Sequence, residues 1–295
     1  MLAPVLLLWL VLEAGCYLLI GRGLFAAPWP LVVAATLGGM LGFRAALNMM
    51  TWIISMLFAS PAPRLGTLGT LRLMLAEFAA FLLSFLLVIP FERLWMPADR
   101  LPAGRHQTPI LLIHGFGCSR GVWWLLRRRL EAAGHLVATV SLFPPMAALG
   151  KLVPQLQERI EAVCQATGSQ QVILIGHSMG GLIARSYLAR HGIARVSRLI
   201  TLSTPHQGSE LARLGYGRAA RDMRPGSLWL TDMAEEKIGV PAISLRNPYD
   251  NYVMPQDNQR HPQMQDIPLP AQGHLSELYD RRVAQILIDL LKATP

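Results

Sequence analysis

Gln171-Val172-Ile173-Leu174-Ile175-Gly176-His177-Ser178-Met179-Gly180-Gly181 is the stretch on which the reading of this chain turns. An apolar run of strand length meets Gly-x-Ser-x-Gly, and a helix-forming segment, 178–191, follows. The motif alone is modest, since with glycine near 7% of residues roughly one chain in ten of this length carries it by chance. Its setting carries the weight. A serine on a sharp strand-to-helix turn has its hydroxyl projected above a sheet, and small residues on either side let strand and helix approach. Ser178 is therefore the candidate nucleophile.

Working outward, strands and helices alternate. Segments at 109–113, 136–142, 197–203 and 241–246, with a short one near 264–268, read as strands. Segments at 120–133, 151–167 and 275–292 read as helices. This alternation predicts an α/β domain with a mostly parallel sheet covered by helices on both faces.

A serine hydroxyl needs a neighbouring base. On such a scaffold the acid and then the histidine follow the serine in the chain. Asp250, just beyond strand 241–246, and His274, just before the last helix, fit that order. Asp257 and Asp266 compete with Asp250; His206, which follows Ser203-Thr204-Pro205, competes with His274. His177 adjoins the serine with its side chain expected to point away, and His114 belongs to the loop after the first strand. These three histidines are candidates for the substrate pocket. The backbone N–H groups of Met179 and of Phe116, in His114-Gly115-Phe116-Gly117, are the candidate donors to a developing oxyanion.

Residues 1–99 differ in kind. The chain of 295 residues carries a formal charge of +9, yet these 99 hold five arginines (22, 44, 64, 72 and 93) against Glu13, Glu77, Glu92 and Asp99. The remaining 196 residues therefore carry +8. Apolar runs at 2–20, at 24–43 with a possible extension to 59, and at 73–91 approach the roughly 20 residues that cross a bilayer. The expectation is three spans with a loop at 60–72, Trp9, Trp29, Trp52 and Trp95 serving as interfacial anchors. A cleaved signal peptide fits poorly, because residues 2–20 lack a basic flank and further apolar runs follow. Glu13 and Glu77 interrupt the runs and are expected to face each other, the bundle interior or an interface, a functional intramembrane site being the alternative. With three spans, Arg22, Arg93, Arg100 and Arg105 inside and Arg64 and Arg72 outside lean towards a cytoplasmic globular part, a margin that one span more or fewer erases.

His-Gly-Phe-Gly (114–117), Gly-His-Ser-Met-Gly-Gly (176–181), Ser-Thr-Pro-His-Gln-Gly-Ser (203–209), Asp250-x-x-Val-x-Pro and Gly-His-Leu (273–275) together resemble the bacterial lipase/esterase group of the α/β-hydrolase superfamily. The resemblance covers about 105–292. It implies the α/β-hydrolase fold, cleavage of acyl or lipid esters through an acyl-enzyme and a lid at 206–236; the multi-span region has no counterpart in the secreted members, and with it the expected location is the bacterial inner membrane. Many secreted members of the group hold calcium with an aspartate two residues after the histidine; here that position is Ser276, so no metal and no cofactor is carried over. The expected division is a transmembrane region, 1–99, and a catalytic domain, 100–295.

The three cysteines, 16, 118 and 164, read as isolated thiols rather than a disulfide framework. Arg127-Arg128-Arg129 beside two tryptophans suggests a solvated face or anionic headgroups, not nucleic acid. The same triad would serve a thioesterase or acyltransferase, and a hydrolase-like domain kept for binding in a membrane complex is a third reading. The sequence sets no oligomeric state.

Overall fold

A computed structural model of the chain describes residues 2–104 and 107–292. Arg105, counted in the charge tally, lies outside the described residues.

Three long apolar helices lead the chain: α1 (Leu2–Leu19), α2 (Trp29–Leu57) and α3 (Gly66–Leu82). A π-helical turn continues α1 to Leu24 and another continues α3 to Val88. The resulting helices Leu2–Leu24, Trp29–Leu57 and Gly66–Val88, with mean hydropathies of 2.1, 1.5 and 2.1, are long and apolar enough to cross a membrane. The third begins earlier than the sequence suggests. Pro61 and Pro63 end before Gly66, and the glycines and threonines of 66–70 are carried inside the helix instead of forming a loop. Trp9 and Trp29 are exposed, whereas Trp52 is buried against the protein and is no interfacial anchor.

A short helix, α4 (Glu92–Trp95), leads into a six-stranded parallel sheet. Its strands are β1 (Ile110–Ile113), β2 (Val137–Val140), β3 (Val172–His177), β4 (Val196–Leu202), β5 (Ala242–Arg246) and β6 (Gln265–Pro268), in the order β2-β1-β3-β4-β5-β6. Helices α5 (Trp124–Ala132), α6 (Leu149–Thr167), α7 (Met179–His191), α8 (Arg218–Asp222), α9 (Leu228–Ala234) and α10 (Arg281–Lys292) complete the chain. β1 to β4 are buried nearly throughout, as parallel strands covered on both faces are. One apolar core lies between the sheet and α6–α7; the other joins the opposite face to α5 and α10, with Phe85 of the third long helix and Ile89 just beyond its end added to it.

The order 2-1-3 puts the reversal of winding between β1 and β3, where open α/β sheets form a crevice at the strand ends. Ile113 is in register with Gly176, and His177 with Leu202. The loops after β1 and β3 therefore emerge side by side. The final helix starts at Arg281, not at 275, because residues 276–278 form a separate 3-10 turn.

The arginine triplet is not a solvated face. Arg127 is buried and pairs with Asp99 at 2.9 Å and Glu131 at 2.7 Å, and Arg129 donates to the Tyr279 carbonyl at 2.8 Å. Arg128 alone is exposed. The triplet thus pins residues 97–99 and the 3-10 turn onto the α/β part.

Candidate active site

Ser178 sits between β3 and α7 with φ +52° and ψ −125°, a conformation that costs a non-glycine residue about 1–3 kcal/mol. The sequence permits it. A Cβ on Gly176 would run into the backbone of Gly180 and Gly181, and one on Gly180 into the carbonyls of Ile113 and His114. The Ser178 N–H donates to the Leu202 carbonyl at 2.8 Å, fixing the turn against β4.

Of the three candidate acids, only Asp250 reaches His274: Oδ2 lies 2.7 Å from Nδ1. The other carboxylate oxygen, Oδ1, accepts the N–H groups of Tyr252 and Val253 at 2.7 and 2.8 Å. Asp257 and Asp266 instead pair with Arg246 and Arg260, in a cluster built on the last residue of β5 and on β6. With Nδ1–H bound to a carboxylate, the His274 Nε2 is the nitrogen left for a proton transfer. Burial alone would lower the His274 pKa. The charge and hydrogen bond of Asp250, helped by Glu277 and Glu77, outweigh it and hold the imidazole above its ordinary 6.5.

Ser178 and His274 open onto one cavity of about 380 Å³. Besides the elbow at 177–178, its largely apolar wall comes from Leu47, Met50, Phe81 and Phe85 of the long helices, Phe116 and its neighbours after β1, residues 205–223, and Tyr252, Val253 and Leu275 of the acid and histidine loops. Residues 206–236 fold as a 3-10 turn (Glu210–Arg213), α8 and α9, of which Leu211, Leu214 and Met223 line the cavity. Among the described residues neither the Phe116 nor the Met179 N–H has an intramolecular acceptor. Phe116 lines the cavity, and Met179, the first residue of α7, directly follows Ser178.

The candidate pocket histidines divide. His177 lines the cavity, and its ring lies 4.5 Å from that of His274, so it flanks the site rather than pointing away. Its Nε2–H lies 3.1 Å from the His274 carbonyl and 3.3 Å from the Glu277 carboxylate. Burial, reinforced by His274, lowers its pKa against the opposing pull of Glu277 and Asp250. His114 and His206 contribute nothing to the cavity wall, a correction to the sequence expectation. His114 donates from Nδ1 to the Gly115 carbonyl and accepts the Leu142 N–H at Nε2, which ties the ends of β1 and β2 together. Burial pushes its pKa down to about 4. His206 lies between Thr201 and Arg185, and burial beside that guanidinium holds its pKa well below 6.5.

Several groups around the site carry no signature in the sequence. Glu277, fully buried, accepts from Ser203 at 2.6 Å and Asn247 at 3.1 Å. Tyr252 stacks on His274 with ring centroids 5.0 Å apart. Cys118 lines the cavity, but burial pushes its thiol up to about 12, which leaves it unreactive as a nucleophile. Among the described residues no group of three or more His, Cys, Asp or Glu side chains is arranged to hold a metal ion.

Comparisons with known proteins bear on the fold. A family model described as alpha/beta hydrolase fold matches residues 108–219. A triacylglycerol lipase of Pseudarthrobacter phenanthrenivorans is 35% identical over 123 residues, 39% of this chain and 38% of the lipase. The human lysosomal thioesterase PPT2 is 34% identical over 127 residues, 42% of each chain. The chain thus spans about two-fifths of the length of these curated relatives. The mature lipase BlEst2 of Bacillus licheniformis superposes with a TM-score of 0.58 at 19% identity, covering 67% of this chain and 96% of that one. Parallel sheet, elbow after β3 and these likenesses together establish that the chain carries the α/β-hydrolase fold.

Proposed function

We propose that this protein is a membrane-anchored serine hydrolase that cleaves carboxylic esters of acyl or lipid type through an acyl-enzyme. The observation that carries the reading is the meeting of Ser178 with His274, itself bonded to the buried Asp250, in one apolar cavity whose wall includes the long apolar helices. Residues 1–99 serve as a three-span membrane region, 100–295 as the catalytic domain and 206–236 as its lid. A cavity of this size is within the range of small-molecule sites, and its apolar lining suits an acyl chain better than a polar substrate.

In this reading Ser178 Oγ attacks the ester carbonyl while His274 Nε2 takes its proton. The tetrahedral oxyanion receives hydrogen bonds from the Phe116 and Met179 N–H groups. His274 then returns the proton to the departing alcohol, leaving the acyl group on Ser178. Water, deprotonated by the same imidazole, releases the acid and restores the serine. Asp250 holds the Nδ1–H tautomer and stabilises the imidazolium throughout.

A thioesterase reading has specific support in the likeness to PPT2, and the same steps serve it with a thiolate as leaving group. Labelling of full-length protein in detergent by a fluorophosphonate, followed by rates on oxygen esters and thioesters of matched chain length, separates the two. We expect wild type to label and Ser178→Ala not to, with ester hydrolysis lowered by about 10⁶-fold in the variant. Equal labelling of the two proteins would overturn the assignment.

A further inference from the structure

We propose that Glu77, on the membrane helix α3, is a positioning residue that holds the His274 loop in register with Ser178. The inference rests on the hydrolase reading above.

The side chain of Glu77 is fully buried. Both carboxylate oxygens lie 3.0 Å from the Leu275 N–H, and Oε2 also accepts the Ser276 N–H at 2.8 Å. Gly273, on the other side of His274, packs so closely that a Cβ there would fall on the Glu77 carboxylate. The N–H of His274 itself donates to Asn251 Oδ1 at 3.1 Å, and Asn251 Nδ2 donates to Thr51 Oγ1 on α2 at 2.7 Å. Three consecutive N–H groups, at 274, 275 and 276, are therefore held directly or through one side chain by the long helices. The Asp250 side of the pair is held likewise, its carbonyl accepting from Ser55 Oγ at 3.0 Å.

The loop between β6 and the 276–278 turn has no regular secondary structure to hold it. Such a segment needs outside partners to keep an imidazole within the fraction of an ångström that proton transfer requires. Burying a carboxyl group is costly unless donors meet it. Glu13, the other acid of the apolar runs, is met by Arg44, whose two terminal nitrogens lie 2.8 and 2.7 Å from its carboxylate. Among the described residues no lysine or arginine pairs with Glu77, and its donors belong to the histidine loop instead. Docking of α3 and placement of His274 are thus one event.

The test uses the full-length protein in detergent micelles, with Glu77→Ala, Glu77→Gln, Thr51→Val and, as a control on an exposed part of α3, Leu75→Ala. Hydrogen exchange of peptides spanning 272–278 reads loop placement independently of turnover. Hydrolysis of a short, soluble p-nitrophenyl ester, normalised to sites titrated to completion by fluorophosphonate, reads competence per folded molecule. For Glu77→Ala we expect exchange and kcat per site to change by about tenfold or more, with KM within about twofold. Glu77→Gln, which keeps one carbonyl acceptor, should fall between Ala and wild type, and Leu75→Ala should match wild type. Exchange and kcat both within about twofold of wild type in Glu77→Ala would overturn the proposal. If the Glu77 variants do not fold, Thr51→Val decides: faster exchange over 272–278 supports the clamp, and wild-type exchange overturns it. Absence of Ser178 labelling in wild type would sink the hydrolase reading, while the exchange data would still decide whether Glu77 holds the loop.

Discussion

The α/β part and the three long helices put their polar residues to different uses. In the α/β part, the three polar groups of the candidate site lie at the ends of strands or just before the last turn, each in a short motif: Ser178 in its elbow, Asp250 after β5, His274 before the 276–278 turn. In the helices they are scattered singly through apolar sequence, with no motif around them. Yet they are not idle. Arg44, Asn48, Thr51 and Ser55 of α2 are spaced so as to share one helical face, and all four are buried. Glu77 and Ser84 do the same on the third helix, Ser84 meeting Tyr279 at 2.7 Å. A buried polar stripe on an otherwise apolar helix marks the side that faces protein, and here that side carries bonds to the loops of the candidate site.

The widest gap between the two regions should appear on substituting Asp250→Asn. The amide keeps the shape but loses the charge and the tautomer control, so kcat should fall by about 10⁴-fold. The pH profile gives the sign. His274 must be neutral to accept a proton, and its pKa is held above 6.5, so kcat/KM should rise with pH through a midpoint above that value. The titratable groups facing the imidazole are Asp250, Glu277, Glu77, His177 and Tyr252. Without the Asp250 charge, burial dominates and the midpoint should move to lower pH. A profile from stopped-flow or plate assays between pH 5 and pH 9 checks both; an unmoved midpoint would detach Asp250 from His274 in function.

Legibility in the sequence follows the same division. β1 to β4, the elbow and the Asp250–His274 pair are visible because a strand of the buried sheet writes a largely apolar run and the site residues sit in fixed positions after strands, whereas the edge strand β6, Gln-Asp-Ile-Pro, writes no such run. His114 and His206 mislead for a physical reason: both lie near strand ends, as site residues do, but their rings turn inward and satisfy buried backbone and side-chain groups. The start of α3 is misjudged because Gly66 and Gly69 read as loop residues, although in an apolar setting they begin the helix. Glu77 is visible as an oddity but not as a partner of the histidine loop. Its partners are nearly two hundred positions away and are backbone amides, which leave no trace in residue type.

The cavity wall tests the comparison from the other side, since its residues on the helices should govern the substrate and not the chemistry. Phe81 and Phe85 pack together with ring centroids 4.9 Å apart, and both line the cavity opposite the 205–223 segment. Phe85→Ala removes apolar surface from the wall without touching Ser178, Asp250 or His274. On p-nitrophenyl esters of increasing chain length we expect kcat/KM for the longer chains to change by about tenfold and that for acetate by less than about twofold, since each buried methylene is worth about 1 kcal/mol. A uniform loss across all chain lengths would mean that the helices support the site only as scaffolding.

The smallest effect on activity should come from the pair farthest from the site. Arg44 and Glu13 join α2 to α1 through two short hydrogen bonds, with side chains only 7% and 10% exposed. None of the described residues of α1 lines the cavity. Removing one partner strands the other in an apolar setting, so Glu13→Leu alone should destabilise the fold by about 3 kcal/mol, while Glu13→Leu with Arg44→Met should restore most of it. Thermal unfolding in detergent, followed alongside ester hydrolysis, reads both effects. Active molecules of every variant should keep wild-type kcat, because the bonds to Asn251, Asp250 and the His274 loop start from Thr51, Ser55 and Glu77 and none of them passes through α1. A drop in kcat per titrated site in the double variant would show that α1 is coupled to the site and that the division drawn between the two uses of polar residues is too sharp.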